Sequence, residues 1–218
     1  MGARSYTLIE KYKDFIKGDL VEIGSERGEG STQFFSNFAK ENNLNFYSID
    51  FEKGAYERAE SIIGENAYCM TGEDFLDNVY KQKESKIGAA YLDNFDFCYP
   101  NLVGSQLISD QSSLYDQYGI KLNNDNSKLA HLNQTKKIIE NYIDGFCLLM
   151  FDDTYINTPE RITSYRKSKM TKKEQLLKLD YDGKGGTAVP YLLNKGWKPV
   201  DYNFNGSPND GFIFLSNE

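Results

Sequence analysis

Three aspartates lie where two apolar runs of the sequence end, and together their carboxylates could bind a cation. Asp93 follows the run "IGAAYL", and Asp152 and Asp153 follow the run "FCLLMF". If these runs are neighbouring strands, the three carboxylates converge, and carboxylates that lie close together repel unless a cation compensates. Hard oxygen ligands with open positions suit Mg²⁺ or a similar divalent ion. The alternative is that the acidic pair is only an exposed strand end or a helix cap.

A glycine-rich segment, "VEIGSERGEGST" over residues 21–32, is a second candidate for binding. The segment carries three glycines, Gly24, Gly28 and Gly30. Their spacing is not the G-x-G-x-x-G of a dinucleotide site, and no Lys-Ser/Thr follows as in a phosphate-binding P-loop. The carboxylate of Glu22 would repel a pyrophosphate but attract an amine or a sulfonium. We expect Ser31 and Thr32 to cap the next helix. The alternative is that the glycines only form a tight turn.

The elements that must position these residues alternate along the chain. Five apolar runs predict strands, at residues 20–23, 45–50, 67–70, 87–92 and 146–151. Helical patterns separate them, and this alternation predicts a doubly wound, mainly parallel α/β sheet of the Rossmann-like kind. The last segment, "WKPVDYNFNGSPNDGFIFL", predicts two strands joined by a turn and hence an antiparallel C-terminal edge strand.

Acidic residues also follow the second and third predicted strands. Asp50 ends the second strand, and an acidic residue there accepts hydrogen bonds from ribose hydroxyls. Glu73 and Asp74 follow the third strand in "MTGED", where we expect them to meet an adenine edge. Open sheets of this class bind ligands at the carboxyl ends of their strands, so these residues should share one site.

The chain of 218 residues predicts a single domain over residues 1–218. A polar, turn-rich insertion at about residues 99–127 interrupts the alternation, and a stretch of this length is usually a lid or a mobile insertion. Tyr99, Tyr115 and Tyr118 in this insertion are candidates for lining an acceptor pocket.

Composition and charge narrow the function classes. The net charge of -7 disfavours a nucleic-acid partner, because no broad face would neutralise phosphates. No apolar run is long enough to span a membrane, and no signal peptide is recognisable, so we expect no membrane partner. The three cysteines lack metal-binding spacing and indicate a reducing, cytoplasmic location. The sequence is also compatible with a homodimer.

With these residues in place, the sequence resembles the class I S-adenosylmethionine-dependent methyltransferases. "VEIGSERGEGS" resembles the first motif of that family, "YSIDFE" the second and "TGEDFL" the third. The resemblance implies that the glycine segment surrounds the methionine part of S-adenosylmethionine and that Asp50 holds the ribose. The cofactor-binding residues it implies are Glu22, Gly24, Ser25, Gly28, Gly30, Ser31, Asp50, Phe51, Glu73, Asp74 and Asp93. S-adenosylmethionine carries a positive sulfonium and no phosphate, so it is compatible with an acidic loop.

A finer resemblance is to the metal-dependent catechol-type and sugar O-methyltransferases. "YLDNFDFCY" and "MFDDTY" stand where those enzymes carry their metal ligands, which implies Asp93, Asp152 and Asp153 as ligands of Mg²⁺ or a similar divalent metal. The chain departs from the catechol pattern at Asp96, where those enzymes have a lysine base.

His131 is the only histidine of the chain and is a candidate catalytic residue beside Asp93. The sugar enzymes carry a histidine in this region, and an imidazole could deprotonate a hydroxyl because its ordinary pKa is near neutrality. The alternative, that His131 is a satisfied helix residue, is at least as well founded.

The sequence therefore predicts a divalent-metal-dependent O-methyltransferase whose partner is a small hydroxylated acceptor. Two alternatives stay open: a metal-independent methyltransferase acting on nitrogen or on protein, and a cofactor-binding protein without catalysis. A nucleic-acid methyltransferase is disfavoured, because the fourth strand is followed by Asp93-Asn94-Phe95-Asp96 and not by N/D-P-P-Y/W.

Overall fold

Seven strands of the described residues form one sheet, and across it they lie in the order β3 (Ala67–Cys69), β2 (Phe46–Asp50), β1 (Asp19–Ile23), β4 (Ile87–Leu92), β5 (Leu148–Phe151), β9 (Phe212–Ser216) and β8 (Lys198–Asn203). The computed structural model describes residues 5–25, 30–98, 103–156, 179–204 and 211–218. The parallel strands are β1 (Asp19–Ile23), β2 (Phe46–Asp50), β3 (Ala67–Cys69), β4 (Ile87–Leu92) and β5 (Leu148–Phe151). Strand β9 (Phe212–Ser216) is antiparallel to both β5 and β8 (Lys198–Asn203). The predicted doubly wound sheet with an antiparallel C-terminal strand is confirmed, and β8 lies outside β9 at the edge.

Helices connect the parallel strands and cover both faces of the sheet. They are α1 (Ser31–Asn42), α2 (Lys53–Ile63), the short α3 (Gly72–Asp74), α4 (Gln106–Gln117), α5 (Asn124–Asn141) and α6 (Ala188–Asn194). A 3₁₀ helix, Ser5–Tyr12, precedes β1, and a π-helical turn, Phe75–Val79, continues α3. All five residues of β1 and all six of β4 are buried, as central strands covered on both faces require.

Each face of the sheet carries its own apolar core. One core packs Val21, Ile49 and Leu149 against residues of α5 and α6. The other packs Leu20 and Tyr91 against Phe35 of α1. The two cores fix the twisted sheet from both sides, so the strand ends that carry the acidic residues are held by rigid elements.

A separate two-stranded hairpin was not predicted from the sequence. Strand β6 (Thr154–Ile156) pairs antiparallel with β7 (Tyr181–Gly183), and residues 157–178 between them lie outside the described residues. Gly183 must be glycine, because its φ is 82° and a Cβ would come within 1.9 Å of the Asp153 carbonyl oxygen. The hairpin therefore packs directly against the end of β5.

The insertion predicted at about residues 99–127 contains α4 and the first turn of α5. The role of this insertion as a lid stays a prediction. The organisation of residues 1–218 as a single domain also stays a prediction. Tyr99 lies outside the described residues. Within the described ranges, the structure has no helix that is long and apolar enough to cross a membrane.

Candidate functional site

The glycine turn after β1 joins the ends of three strands. Gly24 has a φ of 92°, and a Cβ there would lie 2.3 Å from the backbone nitrogen of Asn94, after β4. The next residue, Ser25, donates from its backbone nitrogen and its hydroxyl to Asp50 Oδ2, at 2.9 and 3.2 Å. The turn thus brings the ends of β1, β2 and β4 into direct contact. Gly28, which was predicted to bind the cofactor, lies outside the described residues.

The residues that were expected to cap α1 have a different role. Gly30, with a φ of 117°, precedes the helix, and no side chain caps it. Ser31 and Thr32 are buried in its first turn, and Thr32 Oγ1 donates to Glu22 Oε2 at 2.7 Å. The capping prediction for Ser31 and Thr32 was therefore wrong, because Thr32 uses its hydroxyl to satisfy a buried carboxylate.

Glu22 lies completely buried in the middle of the sheet. Its Oε2 accepts hydrogen bonds from Thr32 and from Ser48 Oγ, the latter at 2.6 Å. Burial raises the pKa of Glu22 to about 7, although the hydroxyls oppose that shift. Glu22 lines neither of the cavities described below. Its assignment to cofactor binding stays a prediction.

Asp50 is placed at the end of β2 as predicted and lines both cavities. Its Oδ1 accepts from the backbone nitrogen of Glu52 at 2.9 Å, and its Oδ2 accepts from Ser25. Burial raises the pKa of Asp50, and these hydrogen bonds oppose the shift. The carboxylate is fixed at the rim of the site, and Phe51 beside it also lines both cavities.

The two acidic residues after β3 differ in position. Glu73 lines the larger cavity, and its Oε2 accepts from Gln134 Nε2 at 2.9 Å. Asp74 is exposed, and Thr71 Oγ1 accepts from its backbone nitrogen while donating to its carboxylate. Of the predicted adenine-binding pair, the structure brings only Glu73 to the cavity.

Two adjoining cavities lie at the carboxyl ends of β1 to β4. The larger, of about 340 Å³, has mainly apolar walls, including Ile23, Met70, Ile120 and Ala130. The smaller, of about 80 Å³, has four acidic residues in its wall: Asp50, Glu52, Asp93 and Asp96. The described residues that line the two cavities include no lysine or arginine. The pair of cavities suits a ligand with an apolar part and a cationic part.

Helix α4 closes one side of this site with aromatic side chains. The buried Tyr115 has ring contacts with Phe51 and Phe95, at 5.1 and 5.0 Å between centroids. Its hydroxyl accepts from the backbone nitrogen of Asp96 at 2.6 Å. Tyr118 packs on Phe51 at 5.3 Å and remains partly exposed. Of the tyrosines proposed for an acceptor pocket, Tyr115 lines the smaller cavity.

The three predicted metal ligands lie at the ends of β4 and β5, as expected. Tyr91 Oη connects two of them, since it donates to Asp152 Oδ2 at 2.8 Å and lies 3.4 Å from Asp93 Oδ2. Asp153 adopts a φ of 47°, which is uncommon for a residue other than glycine. Burial and the neighbouring Asp153 raise the pKa of Asp152 to about 6.

A lysine ammonium occupies the place of the predicted metal ion. Lys184 Nζ lies 2.6 Å from Asp93 Oδ1 and 3.2 Å from Asp153 Oδ2. Within the part of the chain that the structure describes, no group of three or more acidic, cysteine or histidine residues could hold a metal ion. The assignment of Asp93, Asp152 and Asp153 as ligands of Mg²⁺ stays a prediction, and the ammonium argues against it, because it already compensates the carboxylates and would repel a divalent cation.

His131 lies fully buried on α5 and lines neither cavity. Its Nδ1 is 2.8 Å from the Ser127 carbonyl oxygen, so Nδ1 carries the proton and Nε2 does not. Burial lowers the pKa of His131 to about 3, and repulsion from Lys184 adds to this effect. The imidazole is therefore neutral at physiological pH. Its assignment as a catalytic base stays a prediction.

Sequence reasoning missed Lys184, Tyr91 and Asn94. Lys184 stands in "DGKGG", a segment that carries no recognised binding motif and lies 91 residues from Asp93. Asn94 lines both cavities, and its buried Oδ1 has no hydrogen-bond partner among the described residues. The position of Asn94, directly after Asp93 at a strand end, was the one available signal.

No protein-family model and no curated protein matches the chain. Among solved structures, the chain is similar to a putative rRNA-methylase from Clostridium thermocellum, at 12% identity over 96% of this chain and 94% of that one, with a TM-score of 0.49. It is also similar to a SAM-dependent methyltransferase from Bacteroides fragilis in complex with S-adenosyl-L-homocysteine, at 12% identity over 95% and 76% of the chains, with a TM-score of 0.43.

A third similar structure is the fibrillarin of Aeropyrum pernix in complex with S-adenosyl-L-methionine. Its identity is 11% over 98% of this chain and 74% of that one, with a TM-score of 0.43. None of the three is described as a metal-dependent catechol or sugar O-methyltransferase. At these identities and TM-scores, the similarity to the three structures does not identify a function.

Proposed function

We propose that the protein is an S-adenosylmethionine-dependent methyltransferase that transfers a methyl group to a hydroxyl of a small molecule without a divalent metal. The observation that carries this proposal is the pairing of an apolar cavity with an acidic one. S-adenosylmethionine has a flat adenine at one end and a sulfonium and an ammonium at the other. Its shape and charge match the two cavities, whereas a dinucleotide would bring phosphates against four acidic residues.

Each strand end would contribute a defined contact. The adenine would lie between the apolar side chains of the larger cavity, with its polar edge toward Glu73. Asp50, at the wall shared by the two cavities, would accept from the ribose hydroxyls. Asn94 Oδ1, also in the shared wall, offers an acceptor to a ligand donor. The cationic end would lie toward Asp93 in the smaller cavity.

The acceptor hydroxyl would then lie at the ends of β4 and β5. Its oxygen attacks the methyl carbon as the bond from that carbon to sulfur breaks, and its proton passes to a base. Asp152 is our candidate for that base, because Tyr91 Oη donates to its carboxylate and burial raises its pKa to about 6. Holding the two reactants in line can supply much of the rate of such a reaction.

Calorimetry with S-adenosylhomocysteine tests the cofactor assignment. The parent should bind it, and Asp50→Asn should weaken binding about tenfold to hundredfold, the scale of 1.5–3 kcal/mol for hydrogen bonds to a charged group. Asp77→Asn is the matched control, because Asp77 lies on the surface and pairs with Lys137. No binding by the parent, or equal binding by Asp50→Asn, would reject the assignment.

Methyl transfer from labelled S-adenosylmethionine to pools of small hydroxylated compounds tests the reaction. The rate should be the same with and without a chelator. Loss of the rate on chelation would restore a metal-dependent mechanism. Transfer only to amines or protein would favour the alternative of a methyltransferase that acts on nitrogen or on protein. Tight cofactor binding with no transfer to any pool would indicate a binding protein without catalysis.

A further inference from the structure

Lys184 is almost completely buried, at 3% side-chain exposure, and its ammonium is surrounded by acceptors. Nζ contacts Asp93 Oδ1 at 2.6 Å, the Asp93 carbonyl oxygen at 3.0 Å and Asp153 Oδ2 at 3.2 Å. A lysine ammonium has three donors, and these contacts provide an acceptor for each of them. The ammonium therefore links the end of β4 to the end of β5.

The backbone around Lys184 is fitted closely to this position. The Lys184 backbone nitrogen donates to the Asp153 carbonyl oxygen at 3.0 Å, and that of Gly185 donates to Thr154 Oγ1 at 3.0 Å. Gly183 makes the approach feasible, since any side chain there would overlap the Asp153 carbonyl. Removing a charge from water is unfavourable, and only pairing with good geometry offsets that cost. Such a fit is therefore what a buried lysine requires.

We propose that Lys184 is a positioning residue that takes the role of a divalent metal ion in this carboxylate cluster. Its ammonium neutralises Asp93 and Asp153 and fixes the two strand ends relative to each other. Mg²⁺ requires oxygen ligands at 2.0–2.1 Å in octahedral geometry, and an ammonium at this point excludes it. The consequence for methyl transfer, an Asp93 held in place beside the cofactor, rests on the proposed function.

Chemical rescue of Lys184→Ala tests the proposal. The substitution removes the atoms of n-propylammonium, so this cation should bind the vacated space and restore roughly half of the lost melting temperature. A ligand that binds only the folded state stabilises it by mass action. The neutral n-propanol has the same shape and should restore little. Lys128→Ala is the matched control, because Lys128 forms a 2.6 Å ion pair with Asp182 but does not touch the cluster.

Equal rescue by n-propanol, or equal rescue of Lys128→Ala, would overturn the proposal, because the cation would then have no specific site. Direct Mn²⁺ binding to the parent, measured by electron paramagnetic resonance, supplies a second test that needs no folded variant at position 184. We expect no saturable site at the cluster. A Mn²⁺ site in the parent that disappears in Asp93→Asn would overturn the proposal. Neither readout involves S-adenosylmethionine, so a failure to bind S-adenosylhomocysteine would reject the proposed function alone.

Discussion

Two buried carboxylates on adjacent strands are stabilised in different ways. Glu22 on β1 is held by the hydroxyls of Thr32 and Ser48, and burial raises its pKa to about 7. Asp93 after β4 is held by the ammonium of Lys184. The partners of Glu22 are 10 and 26 residues away, whereas Lys184 is 91 residues from Asp93. The hydrogen-bond partners of the first carboxylate are close in the sequence, and the second depends on a distant hairpin.

The same difference divides the site into two regions. We call the ends of β1, β2 and β3, with Gly24 and Asp50, the glycine half. We call the ends of β4 and β5 and the hairpin β6–β7, with Lys184, the lysine half. The glycine half relies on backbone shape and hydroxyls, and the lysine half relies on an ion pair. Substitutions can therefore test the two halves separately.

The largest expected effect is the loss of the charge in the lysine half. Lys184→Met should lower the free energy of unfolding by about 3–5 kcal/mol, because Asp93 would remain buried without its counterion. Urea denaturation measures this change. The double variant Lys184→Met/Asp93→Asn should lose less than the single variant. A loss below about 1 kcal/mol for Lys184→Met would place the pair in the range of exposed salt bridges and remove the distinction between the halves.

Steric disruption of the glycine half should have the next largest effect. Gly24→Ala should destabilise the protein by about 3 kcal/mol or more, because the new Cβ would overlap the backbone of Asn94. Gly64→Ala is the matched control, since Gly64 also has a positive φ but no atom within 4 Å of the added Cβ. The control should cost only about 1–3 kcal/mol, the penalty of holding a residue other than glycine in a sparsely populated backbone region. Equal losses in urea denaturation would mean that the Gly24 contact is not tight.

A pH dependence should appear in the glycine half through Glu22. The folded protein keeps the Glu22 proton up to about pH 7, whereas the unfolded chain releases it near the ordinary value of 4.5. This carboxyl therefore makes stability fall as the pH rises between these values. Glu22→Gln does not titrate, so its stability relative to the parent should improve by about 1–3 kcal/mol from pH 5 to pH 8.

Urea denaturation of both proteins across that pH range gives the comparison. Glu41→Gln, at an exposed position of α1, controls for the amide substitution itself. A relative stability of Glu22→Gln that stays constant or falls with pH would show that Glu22 is ionised in the folded protein. The glycine half would then contain a buried negative charge and would need a cation, as the lysine half does.

The smallest predicted effect concerns Tyr115, which contacts both halves. Its ring packs on Phe51 in the glycine half, and its hydroxyl accepts from the Asp96 backbone nitrogen after β4. Tyr115→Phe should cost about 1–2 kcal/mol, because a partly buried N–H would lose its acceptor. Tyr118→Phe, at an exposed hydroxyl that accepts from the Lys53 backbone nitrogen, should cost about 0.5 kcal/mol or less. Equal thermal shifts in the two variants would argue against a specific role for Tyr115.

The sequence predicted the glycine half better than the lysine half, and the reason is physical. Strand ends, glycine turns and Asp50 are local patterns, so periodicity and spacing placed them at one edge of the sheet. The strands β1 to β5 appear where the apolar runs predicted them. The cation of the lysine half comes from a hairpin whose pairing no local pattern encodes, so a metal ion was predicted where the chain provides its own ammonium. The hydroxyl of Thr32 was likewise misassigned as a helix cap, because the sequence does not show that Glu22 is a buried acceptor.

The tie between Lys184 and Asp93 also has a consequence for the order in which the protein assembles. The ammonium can reach Asp93 only after β4 and β5 have paired and after the long segment between β6 and β7 has closed. Closing such a loop costs chain entropy before its contacts form, so non-local contacts of this kind develop slowly. We expect the ion pair to be absent from the folding transition state. Stopped-flow measurements of Lys184→Met should then show faster unfolding and an unchanged refolding rate.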